Sequence, residues 1–199
     1  MSSGDWGAYV AAGDDDDLDG FVDYTLEMWT KQESWRVEER NSALMNKRED
    51  YSKEFSYYWY DSRNGGASGE AVGLLSTNGV ATLYANGNKV LPEAGVWTHQ
   101  AFVRDTSADR CYSFVSGTNS WAGGTAFGTE PVWAGTAPLE IGGSHLSYSF
   151  PGQIDEVRIS SVARSADWIK ATHDTVAVRN FATYGEAKRI VKGLMIIIC

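Results

Sequence analysis

The chain has 199 residues, 43% of them hydrophobic and 22% charged, with 21 Gly, only 4 Pro, and 8 Trp, 10 Tyr and 7 Phe. This composition excludes disorder over most of the length, collagen and coiled coil, and it disfavours an all-helical protein because Gly and the aromatics are weak helix formers. A formal net charge of −9, with 17 Lys+Arg scattered among 26 Asp+Glu, argues against nucleic acid and anionic membranes as partners, since both need a basic patch.

Taken in chain order, the sequence reads as short β runs separated by Gly, Asn, Asp and Ser. Tyr9-Val10-Ala11 precedes an acidic loop from Gly13 to Gly20. Tyr24 to Thr30, Ala43-Leu44-Met45 and Phe55 to Tyr60 are apolar or β-prone runs. Val72 to Ser76 faces Val80 to Tyr84 across Thr77-Asn78-Gly79, and Asn-Gly between apolar runs predicts a tight hairpin. Val96 to Arg104 reads as one long strand, and Arg110 to Val115 follows a polar turn. A Gly-rich loop from Gly117 to Gly135 carries Trp121 and Trp133. Leu139 to Gly142 and Gln153 to Ile159 are further strands, and Leu194 to Cys199 reads as a last one. In Gln153 to Ile159, Ile154 and Val157 do not share a face of a regular strand, so a bulge or a twist is expected. One helix is expected, with Ser165 capping Ala166 to Thr172 and Asp167 in the first turn, where the dipole favours an acid. About ten strands and one helix predict an all-β, antiparallel β-sandwich or barrel.

No linker or internal repeat divides the sequence, so one domain over residues 1–199 is expected. The N-terminus lacks the basic and apolar regions of a signal peptide, and no run of about 18 apolar residues is present to cross a membrane. The 2 Cys and 3 His are too far apart in sequence for a zinc motif. Cys111, in an apolar strand, reads as a small buried hydrophobe. His99 reads as a buried, hydrogen-bonded side chain.

Three blocks in order carry a resemblance: Tyr24-Thr25-Leu26-Glu27-Met28-Trp29; Gly95 to Asp105 with Trp97 and His99; and Pro138-Leu139-Glu140-Ile141-Gly142-Gly143 followed by Phe150-Pro151-Gly152-Gln153-Ile154-Asp155-Glu156-Val157-Arg158-Ile159 and Ala163-Arg164-Ser165-Ala166-Asp167-Trp168-Ile169. Together they resemble the concanavalin A-like lectin/glucanase superfamily, in its laminin-G-like jelly-roll branch, from about Tyr9 to Glu186. The resemblance implies a β-sandwich (jelly roll) of two antiparallel sheets, one of them concave. It implies a non-catalytic carbohydrate-binding or adhesion module of a bacterial secreted or surface protein, placed at the cell surface or outside the cell as part of a larger protein. Its partner would be a carbohydrate or another surface protein. A structural or protein-interaction module without a sugar site is the second reading, and a divergent glycoside hydrolase the third.

Hydrolysis is not expected. Retaining glycosidases place two carboxylates about 5 Å apart, and the family's glucanases carry them as E-x-D-x-(x)-E on one strand. Here Gln153 and Val157 or Arg158 stand where the flanking acids belong. For binding, alternation puts Tyr58 and Tyr60 on one face of their strand and Tyr57 and Trp59 on the other. The outer pair would offer a stacking platform for sugar rings. Tyr58, Trp59, Tyr60 and the loop residues Trp121 and Trp133 are therefore the candidate ligand-binding residues, with Trp35 also in a polar stretch. Trp29, Trp97 and Trp168 fall in the family blocks and are expected in the core. Asp15-x-Asp17-x-Asp19-Gly20 has the first half of a calcium-loop pattern. The twelfth position is Leu26 and not Glu, so a calcium ion on Asp15, Asp17 and Asp19 would need a further ligand from elsewhere. Asp14 to Asp17 are consecutive acids that repel one another, and only a cation or full solvation makes that tolerable.

Overall fold

The computed structural model describes residues 8–33, 41–50, 53–63, 69–80, 83–85, 92–123, 126–143, 145, 149–179 and 181. Within them the chain forms strands β1 (Val10–Ala11), β2 (Tyr24–Gln32), β3 (Asn41–Lys47), β4 (Phe55–Arg63), β5 (Gly69–Gly79), β6 (Leu83–Ala85), β7 (Thr98–Asp105), β8 (Arg110–Val115), β9 (Thr118–Gly123), β10 (Leu139–Ile141) and β11 (Gly152–Ser160), followed by the helix α1 (Ala166–Ala177). A six-stranded sheet has the order β1-β10-β3-β4-β5-β6, and a five-stranded sheet the order β11-β2-β7-β8-β9. Every pairing is antiparallel. This is the expected jelly-roll sandwich.

Alternation decides which side chains lie between the sheets. Tyr24, Leu26, Met28, Phe102 and Cys111 of the five-stranded sheet meet Leu44, Met45, Tyr57, Trp59 and Leu75 of the six-stranded one in a single buried cluster. Each large apolar side chain buried there contributes about 1.5–3 kcal/mol. The sheets approach closely at Gly73, opposite Trp59 in the register. A Cβ at Gly73 would come within 2.3 Å of the Phe102 ring. Burial pushes the Cys111 thiol up to about 12, against which the nearby Arg104 charge pulls weakly.

Two cations also point inward and need acceptors, because an unpaired buried charge is far more costly than a paired one. Arg104 aligns with Tyr24 and Cys111 in the register and is fully buried. It donates to the carbonyls of Val22 (2.9 Å), Ala126 (2.8 Å), Gly128 (3.2 Å) and Glu130 (2.9 Å). It thereby pins the loop before β10. Farther along that loop, the Val132 N–H donates to the Phe21 carbonyl and the Trp133 N–H to the Ser76 carbonyl, both at 2.8 Å. The loop thus ties the two sheets together at one rim. The second cation, Lys47, sits at the same rim.

Local readings differ from the structure where neighbours overrule propensity. The β5–β6 hairpin forms, but Leu75 pairs with Leu83, so Asn78-Gly79 is not a two-residue turn. β5 instead runs on to Gly79, which pairs with Phe55. Trp133 lies on that backbone: a Cβ at Gly79, whose φ is +75°, would meet its ring at 2.8 Å. Ser165 does cap α1, accepting from the Trp168 N–H at 3.2 Å, and the helix continues past Thr172 to Ala177. Ile169 is fully buried against Ala101, Val103 and Phe114 on the outward face of the five-stranded sheet. Trp168, one residue earlier, is rotated about 100° around the helix. It is 48% exposed beneath the Arg164 guanidinium at 4.2 Å, which corrects its assignment to the core. The expected strand from Leu194 to Cys199 lies outside the described residues, as does Trp35.

Candidate functional site

The acidic loop does not bring Asp15, Asp17 and Asp19 together. Asp15 caps a short 3-10 turn, Asp16–Leu18, by accepting the Asp17 N–H at 2.9 Å. Asp17 adds its own charge to that first turn. Asp19 turns inward, where its Oδ2 accepts the Gly135 N–H at 3.0 Å and lies 3.1 Å from Lys47 Nζ. Lys47 Nζ also donates to Asp14 Oδ1 at 2.5 Å, to the Ala137 carbonyl at 2.7 Å and to the Gly135 carbonyl at 3.2 Å. Among the described residues no group of three or more His, Cys, Asp and Glu side chains is placed to hold a metal ion. The residues present therefore do not fit the expected calcium set of Asp15, Asp17 and Asp19, because one acid caps a turn and another faces an ammonium.

The aromatic run on β4 divides as alternation requires, and Tyr57, Tyr58 and Trp59 are all buried. Trp59 is buried between the sheets with Tyr57. Tyr58 points outward and stacks on Tyr60, with ring centroids 4.5 Å apart. The Arg48 guanidinium lies over the Tyr58 ring at 4.0 Å, and Tyr58 is only 1% exposed. Arg48 is oriented by Asn46, whose Oδ1 accepts from its Nε at 2.6 Å, and Asn46 donates to Glu140 at 2.7 Å. The outward face of the six-stranded sheet is thus closed at Tyr58 by the protein's own groups, with Tyr60 half-buried beside it. Trp133 is partly exposed on its rim, its indole N–H directed at Glu54 at 3.4 Å. Bonds from the Thr136 N–H and the Trp133 indole hold the Glu54 carboxyl below the usual range. Trp121 falls on β9 opposite Ser113, and its side chain lies outside the described residues.

The opposite outward face is built differently. Register places Asp155 of β11, Trp29 of β2 and His99 of β7 side by side across three strands. Trp29 is buried, though not between the sheets as expected. It stacks on His173 of α1, with centroids 5.6 Å apart and planes 16° apart, and meets His99 at 5.5 Å. His99 is buried and faces Glu27 Oε2 at 3.2 Å, as its reading from sequence requires. Asp174 accepts from Lys170 and pairs with His173, contacts that hold its carboxyl below the usual range. α1 therefore roofs this face only as far as its last turn.

Beyond the helix end the face opens into a cleft of about 490 Å³ lined by Trp29, Trp97, Asp155, Glu156, Val176 and Ala177. That size falls within the roughly 300–1,000 Å³ of small-molecule sites. Trp97, expected in the core, precedes β7 and is 40% exposed. The chain is still leaving the turn in which Gly95 donates to the Gln32 carbonyl at 2.6 Å, and α1 has ended before it can cover the indole. The predicted bulge is present: the β11–β2 register shifts between Asp155 and Arg158. Within it Glu156 adopts φ +52°, a left-handed conformation rare outside Gly and Asn. Its N–H is held by Asp155 Oδ1 at 2.8 Å, and its carboxylate pairs with Arg158. The bulge turns two adjacent acids to the cleft, where regular alternation would send one away. The cleft can therefore offer an indole face, two carboxylate acceptors and, one step along the same sheet face, the paired Lys31 and Gln153 as donors.

A larger groove of about 550 Å³ runs between Tyr9, Val10, Ile141, Phe150 and Ile154, and among the described residues no charged side chain lines it. The Trp97 cleft combines aromatic and charged groups and is the candidate site.

The family profile described as concanavalin A-like lectin/glucanases superfamily matches residues 3–170. The chain belongs to that superfamily. Among curated proteins none matches it. Three solved structures show the same concanavalin A-like fold at low identity. The native heptameric SAP-like pentraxin from Limulus polyphemus is 12% identical, with a TM-score of 0.62 over 81% of this chain and 74% of that one. Domain 4 of AbnA, a GH43 extracellular arabinanase from Geobacillus stearothermophilus solved with arabinotriose, is 17% identical, with a TM-score of 0.56 over 85% and 89%. The CBM40 of the Ruminococcus gnavus IT-sialidase is 16% identical, with a TM-score of 0.55 over 78% and 83%. No helix among the described residues is long and apolar enough to cross a membrane.

Sequence reading missed this cleft because it placed Trp29 and Trp97 in the core. The available signals were the predicted bulge and the position of Trp97 straight after the Gly95 turn.

Proposed function

We propose that the chain is a non-catalytic carbohydrate-binding module of a bacterial secreted or surface protein, and that it seats a sugar in the cleft of Trp97, Trp29, Asp155 and Glu156. The observation that carries this reading is the half-exposed Trp97 indole facing the bulge carboxylates across one open cleft. Sugars present apolar C–H faces that stack on indole and hydroxyls that donate to carboxylates, so one aromatic wall and a few polar groups suffice. The arabinanase domain solved with arabinotriose and the sialidase CBM40 support a sugar as the ligand class and an extracellular setting. The pairing of Glu156 with Arg158 and the bond that the Glu156 N–H donates to Asp155 support binding without cleavage. A retaining mechanism would need one acid held protonated across the scissile bond from a free nucleophile.

A glycan array, followed by calorimetry on the best hit, tests the proposal. Wild type should bind a defined set of saccharides, and Trp97→Ala should lose at least tenfold in affinity while keeping its melting temperature. A wild-type array with no binding, or a Trp97→Ala protein that binds as well as wild type, would exclude the cleft. The chain would then be read as a protein-interaction module. Release of reducing sugar from the bound glycan would overturn the non-catalytic part alone.

A further inference from the structure

We propose that the Lys47 ammonium is the resident cation of the acidic loop, standing where a calcium ion would be expected, so that this loop folds without metal. The argument begins with position. Lys47 pairs with Tyr57 and Leu139, both of which face the space between the sheets, so its side chain must run inward and is fully buried. An ammonium has three N–H donors and no acceptor. Three acceptors meet it: Asp14 Oδ1, the Gly135 carbonyl and the Ala137 carbonyl. The Asp19 carboxylate adds a second negative charge at 3.1 Å. Carboxylates and backbone carbonyls are the donor types that calcium takes. Here they close around one ammonium, at hydrogen-bonding distances and with every N–H used.

The same contacts account for the sequence pattern. Gly20, with φ +68°, occupies the sixth position of Asp15-x-Asp17-x-Asp19-Gly20, the place of the turn glycine in calcium loops. The turn it permits sends Asp19 toward Lys47 and the Gly135 N–H and not toward Asp15 and Asp17. A divalent ion placed on Asp19 would lie within a few ångströms of the Lys47 charge, where like charges repel strongly in a desolvated site. The loop's repulsion is relieved from inside at Asp14 and Asp19, and by solvent at the exposed Asp15, Asp16 and Asp17.

Thermal unfolding of the full chain with EDTA and with millimolar calcium chloride tests this role. The wild-type melting temperature should be the same in both. Lys47→Met keeps the apolar stem and removes the charge, leaving Asp19 buried without its partner. It should lower the melting temperature by about 6–20 °C, the shift expected for breaking one buried ion pair in a domain of this size. Should Lys47→Met fail to fold, Asp19→Asn supplies the second measurement. With the ammonium kept and one charge removed, it should melt below wild type and remain indifferent to calcium. A wild-type protein stabilised by calcium, with that gain abolished in Asp19→Asn, would overturn the proposal. So would a Lys47→Met protein as stable as wild type.

Discussion

The acidic loop and the Trp97 cleft use the same residue types to opposite ends. In the loop, Asp14 and Asp19 close on a buried lysine, and the charge is spent on holding the rim of the sandwich. In the cleft, Asp155 and Glu156 sit on a bulge at an exposed edge, beside an indole that no helix among the described residues covers. The aromatics divide in the same way. Tyr58 has its ring covered by Tyr60 and Arg48, while Trp97 keeps a face open. What separates a structural cluster from a candidate binding surface is whether the fold supplies a partner. Residue type is the same in both.

The contrast can be broken experimentally, and the largest effects are expected in the packed regions. Trp59→Ala should cost about 3–5 kcal/mol in denaturant unfolding, because it empties the space opposite Gly73. A loss below 1 kcal/mol would show that Trp59 is not core. Tyr58→Ala should also destabilise, by about 2–4 kcal/mol, since it strips a buried ring from between Tyr60 and Arg48. Trp97→Ala should instead leave stability within about 1 kcal/mol of wild type, as surface changes do. Equal losses at Tyr58 and Trp97 in the same denaturant series would erase the distinction between the two faces.

Smaller effects sharpen the comparison. The Cys111 thiol, pushed up to about 12, should resist alkylation in the native protein at pH 8, where little thiolate forms. Rapid labelling there would show that the sandwich opens locally. The smallest effect concerns Glu54, whose folded carboxyl is held below its ordinary range by the Thr136 N–H and the Trp133 indole. A depressed acid stabilises the fold above its unfolded value, and that contribution fades as pH falls through the folded one. Trp133 fluorescence should therefore change on acidification below about pH 4.3, the ordinary glutamate value. Glu54→Gln should show no such change.

Much of the fold was legible in the sequence. Alternation in Phe55 to Tyr60 separates Tyr57 and Trp59 from Tyr58 and Tyr60, and the structure keeps that division. The Ser165 cap and the bulge after Asp155 were readable because each rests on neighbours in the chain. The Asn78-Gly79 turn was misjudged because Phe55, far away in sequence, extends β5 by pairing with Gly79. Trp29, Trp97 and Trp168 could not be sorted by sequence. Motif blocks say that a Trp belongs to a strand or helix, while the layer it faces depends on what packs above it.

The sequence by itself determined the two-sheet sandwich, the inward and outward sides of its strands, and the helix start. These follow from period-two patterning, turn residues and capping, all of which act over a few residues. Only the tertiary structure decided the fate of each charge and each indole. Lys47 could not be matched to Asp14 and Asp19, nor Trp97 to Asp155, until strands distant in sequence were brought into register. An ion pair or a cleft depends on distances of a few ångströms that spacing along a chain does not contain.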